Sequence, residues 1–137
     1  MDCHLFSDDA ARNPSAIAYD KRGAKHVTLH VGLGTFRPIT AEQPDEHVMP
    51  SEWCQLVEST SRTPNDVRAS GKRVVAVGTT VVRTLETAAA NGPIEPFEGQ
   101  TDLFIRPGHT IRSFDALLTN FHLPRSTLFV LVCAVCG

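Results

Sequence analysis

Thr119, Asn120 and His122 cluster three polar groups among the apolar Leu117, Leu118, Phe121 and Leu123. Polar groups enclosed by apolar neighbours must find partners or a ligand, which favours a binding site over a satisfied core cluster. Histidine titrates near neutral pH and can act as general acid or base. The chain has six histidines. His30, in an alternating stretch, and His47, in a proline-bearing one, join His122 as candidates for proton transfer. A lone buried histidine is more often simply hydrogen-bonded, so each is weak by itself.

Gly78-Thr79-Thr80 stands between a strand-like run and a helix-like run. Free N–H groups at a helix start, with hydroxyls beside them, bind phosphate or carboxylate. In open α/β sheets ligands gather at the carboxyl ends of strands, where this loop belongs. Arg83 and Glu86 follow one turn on, spaced to pair or to face a ligand together. The plain alternative is a helix cap with a surface ion pair. Gly32 and Gly34, followed by Thr35, close another strand. A dinucleotide fingerprint fails there, because Arg37 holds the third glycine position and Pro38 stands where the helix should run. The loop still lets a ligand approach the backbone, since glycine lacks a Cβ; a tight strand-end turn is the equal alternative.

The four cysteines are too few for a disulfide scaffold. Cys133 and Cys136 would be half a zinc site completed by Cys3 and His4, a redox pair, or two small buried hydrophobes one helical turn apart. No second matched pair accompanies them, so the structural reading is preferred.

Strands must end beside these groups to hold them. Residues 26–31 alternate β-branched and polar side chains and predict a strand. Residues 72–78 form a continuous apolar run of the kind parallel sheets bury on both faces. Thr79 or Thr80 is expected to cap a helix carrying Val82, Leu85 and Ala89 and stopping at Asn91-Gly92. Residues 52–58 predict a strand, 64–70 a short helix opening on Pro64, and 102–106 a third strand after a connection at 93–101. Ser126 is expected to cap an apolar, buried final helix. Residues 40–50 read as a loop. Residues 1–25 carry little pattern beyond a short helix at 15–24. Strands alternating with helices predict an α/β class with a mainly parallel sheet and flanking helices, divided into a poorly patterned segment at 1–25 and one domain at 26–137.

The chain has 137 residues, of which 42% are hydrophobic and 20% charged, and a net charge of −2. One domain of that size buries a real core. Its balance excludes a disordered charged tail and argues against binding nucleic acid by bulk charge alone. No apolar run reaches the roughly 18 residues of a membrane span, and the first residues lack a signal-peptide pattern. A cytoplasmic protein with no membrane contact is expected.

Four strings then stand together: 26–39 (HVTLHVGLGTFRPI), 71–86 (GKRVVAVGTTVVRTLE), 99–108 (GQTDLFIRPG) and 115–128 (DALLTNFHLPRSTL). Their order and spacing resemble the S-adenosylmethionine:tRNA ribosyltransferase-isomerases of queuosine biosynthesis over residues 26–137. The resemblance implies transfer of the ribosyl part of S-adenosylmethionine to 7-aminomethyl-7-deazaguanine in tRNA. Rearrangement gives epoxyqueuosine, with adenine and methionine released. It implies tRNA and S-adenosylmethionine as partners, a monomer when complete, and no metal or recycled cofactor, the donor being consumed. It also implies a partial copy of the family's α/β domain, without the inserted β-barrel and the flanking portions. Pro50 replaces a usual histidine, and 133–137 (CAVCG) replaces a usual SAFAG.

This chemistry needs a base beside the sulfonium, a proton for departing adenine and a neutral amine. His30, His47 and His122 are the candidates, with Asp115 or Glu86 as orienting carboxylates. Gly32, Gly34, Thr35, Gly78, Thr79, Thr80, Arg83, Glu86, Thr119 and Asn120 are the expected substrate-binding set. Arg37, Arg83 and Arg125 are candidates for the tRNA backbone. A catalytically inactive fragment that binds nucleotide or tRNA is the alternative. A generic nucleotide-binding α/β protein is less favoured, for want of a glycine-rich loop leading into a helix.

Overall fold

A computed structural model of the chain describes residues 4–8, 15–20, 23–32, 35, 38–39 and 47–137. Among the described residues, seven strands form one sheet: β1 (His4–Asp8), β2 (Ser15–Asp20), β3 (Gly23–Leu29), β4 (Glu52–Leu56), β5 (Val74–Val77), β6 (Phe97–Thr101) and β7 (Ala116–Leu118). Three helices accompany them among those residues: α1 (Glu58–Ala69), α2 (Thr79–Ala88) and α3 (Thr127–Cys136).

The α/β class holds, but the sheet is mixed rather than mainly parallel. Its order is β6-β4-β3-β2-β1-β5-β7. Only β1–β5 and β5–β7 pair in parallel; β1–β2, β2–β3, β3–β4 and β4–β6 are antiparallel. Residues expected to be poorly patterned cause part of the difference, and the antiparallel placing of β4 between β3 and β6 causes the rest. The segment read as a helix at 15–24 covers β2 and the start of β3, which pair antiparallel.

One face of the sheet carries the core. Along β4, Glu52, Cys54 and Leu56 are buried while Trp53 and Gln55 are half-buried; along β5, Val74 and Ala76 are buried while Val75 and Val77 are half-buried. The apolar run at 72–78 is therefore enclosed on one face rather than both. That face meets Val67 of α1 and Val81, Val82 and Leu85 of α2, with Ile105, Phe114 and Leu131 completing the cluster.

Several boundaries move from their expected places for local reasons. α1 starts six residues before Pro64, which lies inside it and removes one N–H from the helix ladder. α2 is capped by Gly78, whose φ of 99° suits glycine, and no side chain of Thr79 or Thr80 caps it. The third strand is β6, in the stretch read as a connection, and 102–106 is irregular. β6 begins beside Pro96 and contains Gly99, both poor strand signals, and forms only because β4 offers it an edge.

α3 follows its expected start. The Ser126 hydroxyl accepts from Phe129 N at 3.1 Å and donates to Leu123 O at 2.7 Å. Ser126→Ala removes both bonds and should cost about 1 kcal/mol, read as a lower urea midpoint at unchanged m-value. The helix is less enclosed than its composition predicts. Only Thr127 and Leu131 are buried, and Cys136 is exposed.

Candidate active site

Strand direction decides which candidates meet. β3, β5 and β7 run the same way, and β4 runs against β3. The residues after β3, β5 and β7 therefore share one end of the sheet with the first residue of β4. Gly32, Gly78, Thr119 and Glu52 meet there by topology.

Three bridges close that end. Gly78 N donates to Leu118 O at 2.9 Å, so the helix start and the 119–122 segment sit side by side. Ile39 N donates to Arg125 O at 2.7 Å, and Pro38 forms a bridge with Ser126. Thr127 Oγ1 donates to Thr35 O at 3.0 Å. The glycine loop is thereby fastened to the loop carrying His122. Arg125 adopts a φ of 58°, uncommon outside glycine, at the point where these two loops are tied.

The centre of this end is a residue the sequence reading passed over. Glu52 is 3% exposed, and a buried carboxylate needs partners. Its Oε1 accepts from Gly32 N at 2.6 Å and from the Thr35 hydroxyl, and its Oε2 accepts from Arg83 Nη1. Arg83, also 3% exposed, donates from Nε to Leu103 O at 3.3 Å. Its Nη2 is buried without a partner. A legible signal existed: Glu52 lies in phase with the inward Cys54 and Leu56, where a charge must be paired. Cys54 shares this neighbourhood. Burial pushes its thiol up, and the Arg83 charge and a hydrogen bond from Thr84 oppose that without reversing it. The thiol stays protonated at neutral pH.

Arg83 and Glu86 do not pair, and neither is on the surface. Glu86 is 3% exposed and faces the 109–113 segment. Its Oε1 accepts from Arg112 N (2.9 Å), Ser113 N (2.8 Å) and Ser113 Oγ (2.6 Å), while Oε2 meets His109 Nε2 at 3.0 Å. It orients His109, which had not been singled out, and none of the three expected histidines. No local pattern could link them, because the partners stand 23 residues apart.

Asp115 is at the other end of the sheet. It precedes β7, accepts from Val74 N at 2.7 Å and lies 3.7 Å from Arg68. It holds the start of β5 and cannot orient an imidazole beyond the far end of β7. The partner of His122 is instead the Thr119 hydroxyl, 3.0 Å from Nε2. Burial lowers the His122 pKa from its ordinary value, because the charged form loses hydration there. Asn120 is exposed beside it.

His30 is exposed, its ring 4.9 Å from that of Trp53, and its backbone N–H donates to Trp53 O. His47 packs edge-on against Phe104 at 5.5 Å with Nε2 buried and unpartnered. Thr79 is buried and Thr80 half-buried at the start of α2. Gly34, Arg37 and Cys3 lie outside the described residues. Among those described, no three His, Cys, Asp or Glu gather as a metal site, and no helix is long and apolar enough to cross a membrane.

The family model described as queuosine biosynthesis protein matches residues 14–137. An S-adenosylmethionine:tRNA ribosyltransferase-isomerase of Methylorubrum extorquens is 58% identical over 113 residues, which are 82% of this chain and 31% of that protein. The protein of the same name from Afipia carboxidovorans is 52% identical over 124 residues, 90% of this chain and 34% of the relative. The crystal structure of S-adenosylmethionine tRNA ribosyltransferase from Thermotoga maritima matches with a TM-score of 0.59 at 52% identity, covering 63% of this chain and 31% of that one. This chain spans about a third of the length of the curated relatives it matches. It belongs to the queuosine biosynthesis protein family.

Proposed function

We propose that this chain carries part of the active site of an S-adenosylmethionine:tRNA ribosyltransferase-isomerase. In this reading the ribosyl group of S-adenosylmethionine passes to 7-aminomethyl-7-deazaguanine in tRNA and rearranges to epoxyqueuosine, with adenine and methionine leaving. S-adenosylmethionine is consumed as a substrate, and no separate cofactor or metal takes part. The reaction belongs in the cytoplasm, where tRNA is available.

The observation that carries the reading is convergence. Three of the four strings that resemble the family, 26–39, 71–86 and 115–128, meet at one end of one sheet, and three backbone or side-chain bridges tie them together. His122 is the proton carrier of choice, since burial favours its neutral form and Thr119 fixes its ring. The N–H groups opening α2 at Gly78-Thr79-Thr80 suit a carboxylate or phosphate. Arg83 contributes to the site from beneath, through Glu52, rather than as a surface contact for tRNA. Asn120 and Arg125 are exposed on the same loop and suit the nucleic acid.

The test is incubation of the purified chain with S-adenosylmethionine and deazaguanine-modified tRNA, following adenine by chromatography. The reading expects adenine that depends on the tRNA. A folded chain, by circular dichroism, that releases none would fail it as an enzyme and leave the second reading, a binding fragment. One observation favours that alternative: Leu118, Phe121, Leu123 and Phe129 are exposed in the same stretch of chain, Phe121 completely. Apolar surface of this kind ordinarily meets a partner.

A further inference from the structure

One cleft lies away from the end of the sheet described above. It has a volume of about 670 Å³ and opens between the last turn of α2, β6 and the 102–112 segment. Glu86 is the eighth residue of α2, so this cleft is centred about 12 Å along the helix from Gly78. Its size is that of a pocket for a nucleoside or a molecule somewhat larger.

Two independent features mark it as a built site. The first is the His109–Glu86 pair. Glu86 holds Nε2 at 3.0 Å from within the protein, its side chain 1% exposed, whereas His109 is 25% exposed and lines the cleft. A buried carboxylate that fixes one ring nitrogen leaves the other to address a ligand, the arrangement expected of a positioned imidazole. The second is charge. Glu86, Glu95 and Asp102 line the cleft against a single guanidinium, that of Arg112, which is turned to Ala90 O at 3.1 Å. Such a lining repels phosphate and accepts neutral or cationic groups. Phe97 supplies an aromatic wall on the same side.

We propose that this cleft binds an uncharged or cationic nucleoside-type ligand, with His109 as its hydrogen-bonding anchor and Asp102 excluding phosphorylated forms. The choice of an adenine nucleoside as probe rests on the reading above; the charge argument does not. A chain that binds adenosine here but releases no adenine from S-adenosylmethionine would sink that reading and leave this site intact.

The experiment is titration of the chain with adenosine and, separately, with adenosine monophosphate, followed by calorimetry and by the His109 ring resonances. Adenosine should bind and shift those resonances, and the monophosphate should bind about tenfold more weakly, equivalent to roughly 1.4 kcal/mol. Asp102→Asn should recover most of that difference. Asp102 is exposed, so its replacement leaves the fold undisturbed. His109→Gln should weaken adenosine at least about tenfold. Absence of a His109 shift, equal binding of the two probes, or an unchanged ratio in Asp102→Asn would each overturn the proposal.

Discussion

Arg83→Met should lower the stability of the chain by about 3–5 kcal/mol, the cost of stranding a buried carboxylate without its counter-charge. Glu52 is 2% exposed at its side chain and Arg83 3%, so water cannot replace the lost guanidinium. Glu52 would keep Gly32 N and the Thr35 hydroxyl, which satisfy Oε1 but bring no positive charge. Most small domains have only 5–15 kcal/mol in all, so the urea midpoint should fall steeply. The Arg62–Glu58 pair is the internal control. Its side chains are 71% and 65% exposed, and Arg62→Ala should change stability by no more than about 0.5 kcal/mol. Thr35→Val should cost about 1–2 kcal/mol. Combining it with Arg83→Met should depart from additivity, because both act through one carboxylate. Equal effects from Arg83→Met and Arg62→Ala would refute the view that this buried pair holds the glycine loop.

The same pair explains what could be read from the residues and what could not. β4, β5, α2 and α3 were visible because each carries a run of the right period; Ser126 opens α3 as its hydroxyl suggests, whereas Gly78 rather than Thr79 or Thr80 opens α2. Their burial followed from composition only in part. α3 is the most apolar segment yet buries only Thr127 and Leu131, because what covers a face depends on neighbours that period does not specify. β6 was missed for the opposite reason. Glu98 and Gly99 interrupt the strand preference of Phe97 and Thr101, and the pairing with β4 overrides that. The two strands before β3, together with the antiparallel β4 and β6, make an expected parallel sheet a mixed one. At the site, Thr119 and His122 were legible together because they are three residues apart. Glu52 with Arg83, 31 apart, and Glu86 with His109, 23 apart, were not, since only the folded topology brings them together.

His122→Gln should abolish tRNA-dependent adenine release by a factor of about 10²–10⁴, the range over which a positioned general acid or base acts. The pH dependence separates that role from a structural one. The ordinary histidine value is 6.5, and burial holds His122 below it. The neutral ring, able to accept a proton, therefore predominates at pH 7 and gives way to the charged form on acidification. Activity should fall as pH drops through the lowered value, and residual activity in His122→Gln should lack that limb. Stability carries the same sign. The unfolded chain takes up its proton near 6.5 and the folded one only lower, so this residue makes the fold less stable as pH falls between those two points. Thr119→Val removes the partner at 3.0 Å without removing the imidazole. It should leave the acid limb in place while lowering the rate, because a ring free to turn spends less time aligned with the substrate. A titration of His122 by NMR at or above 6.5, or a pH profile in His122→Gln that still bends on the acid side, would move the proton transfer to another group, and the exposed His30 would be the next to test.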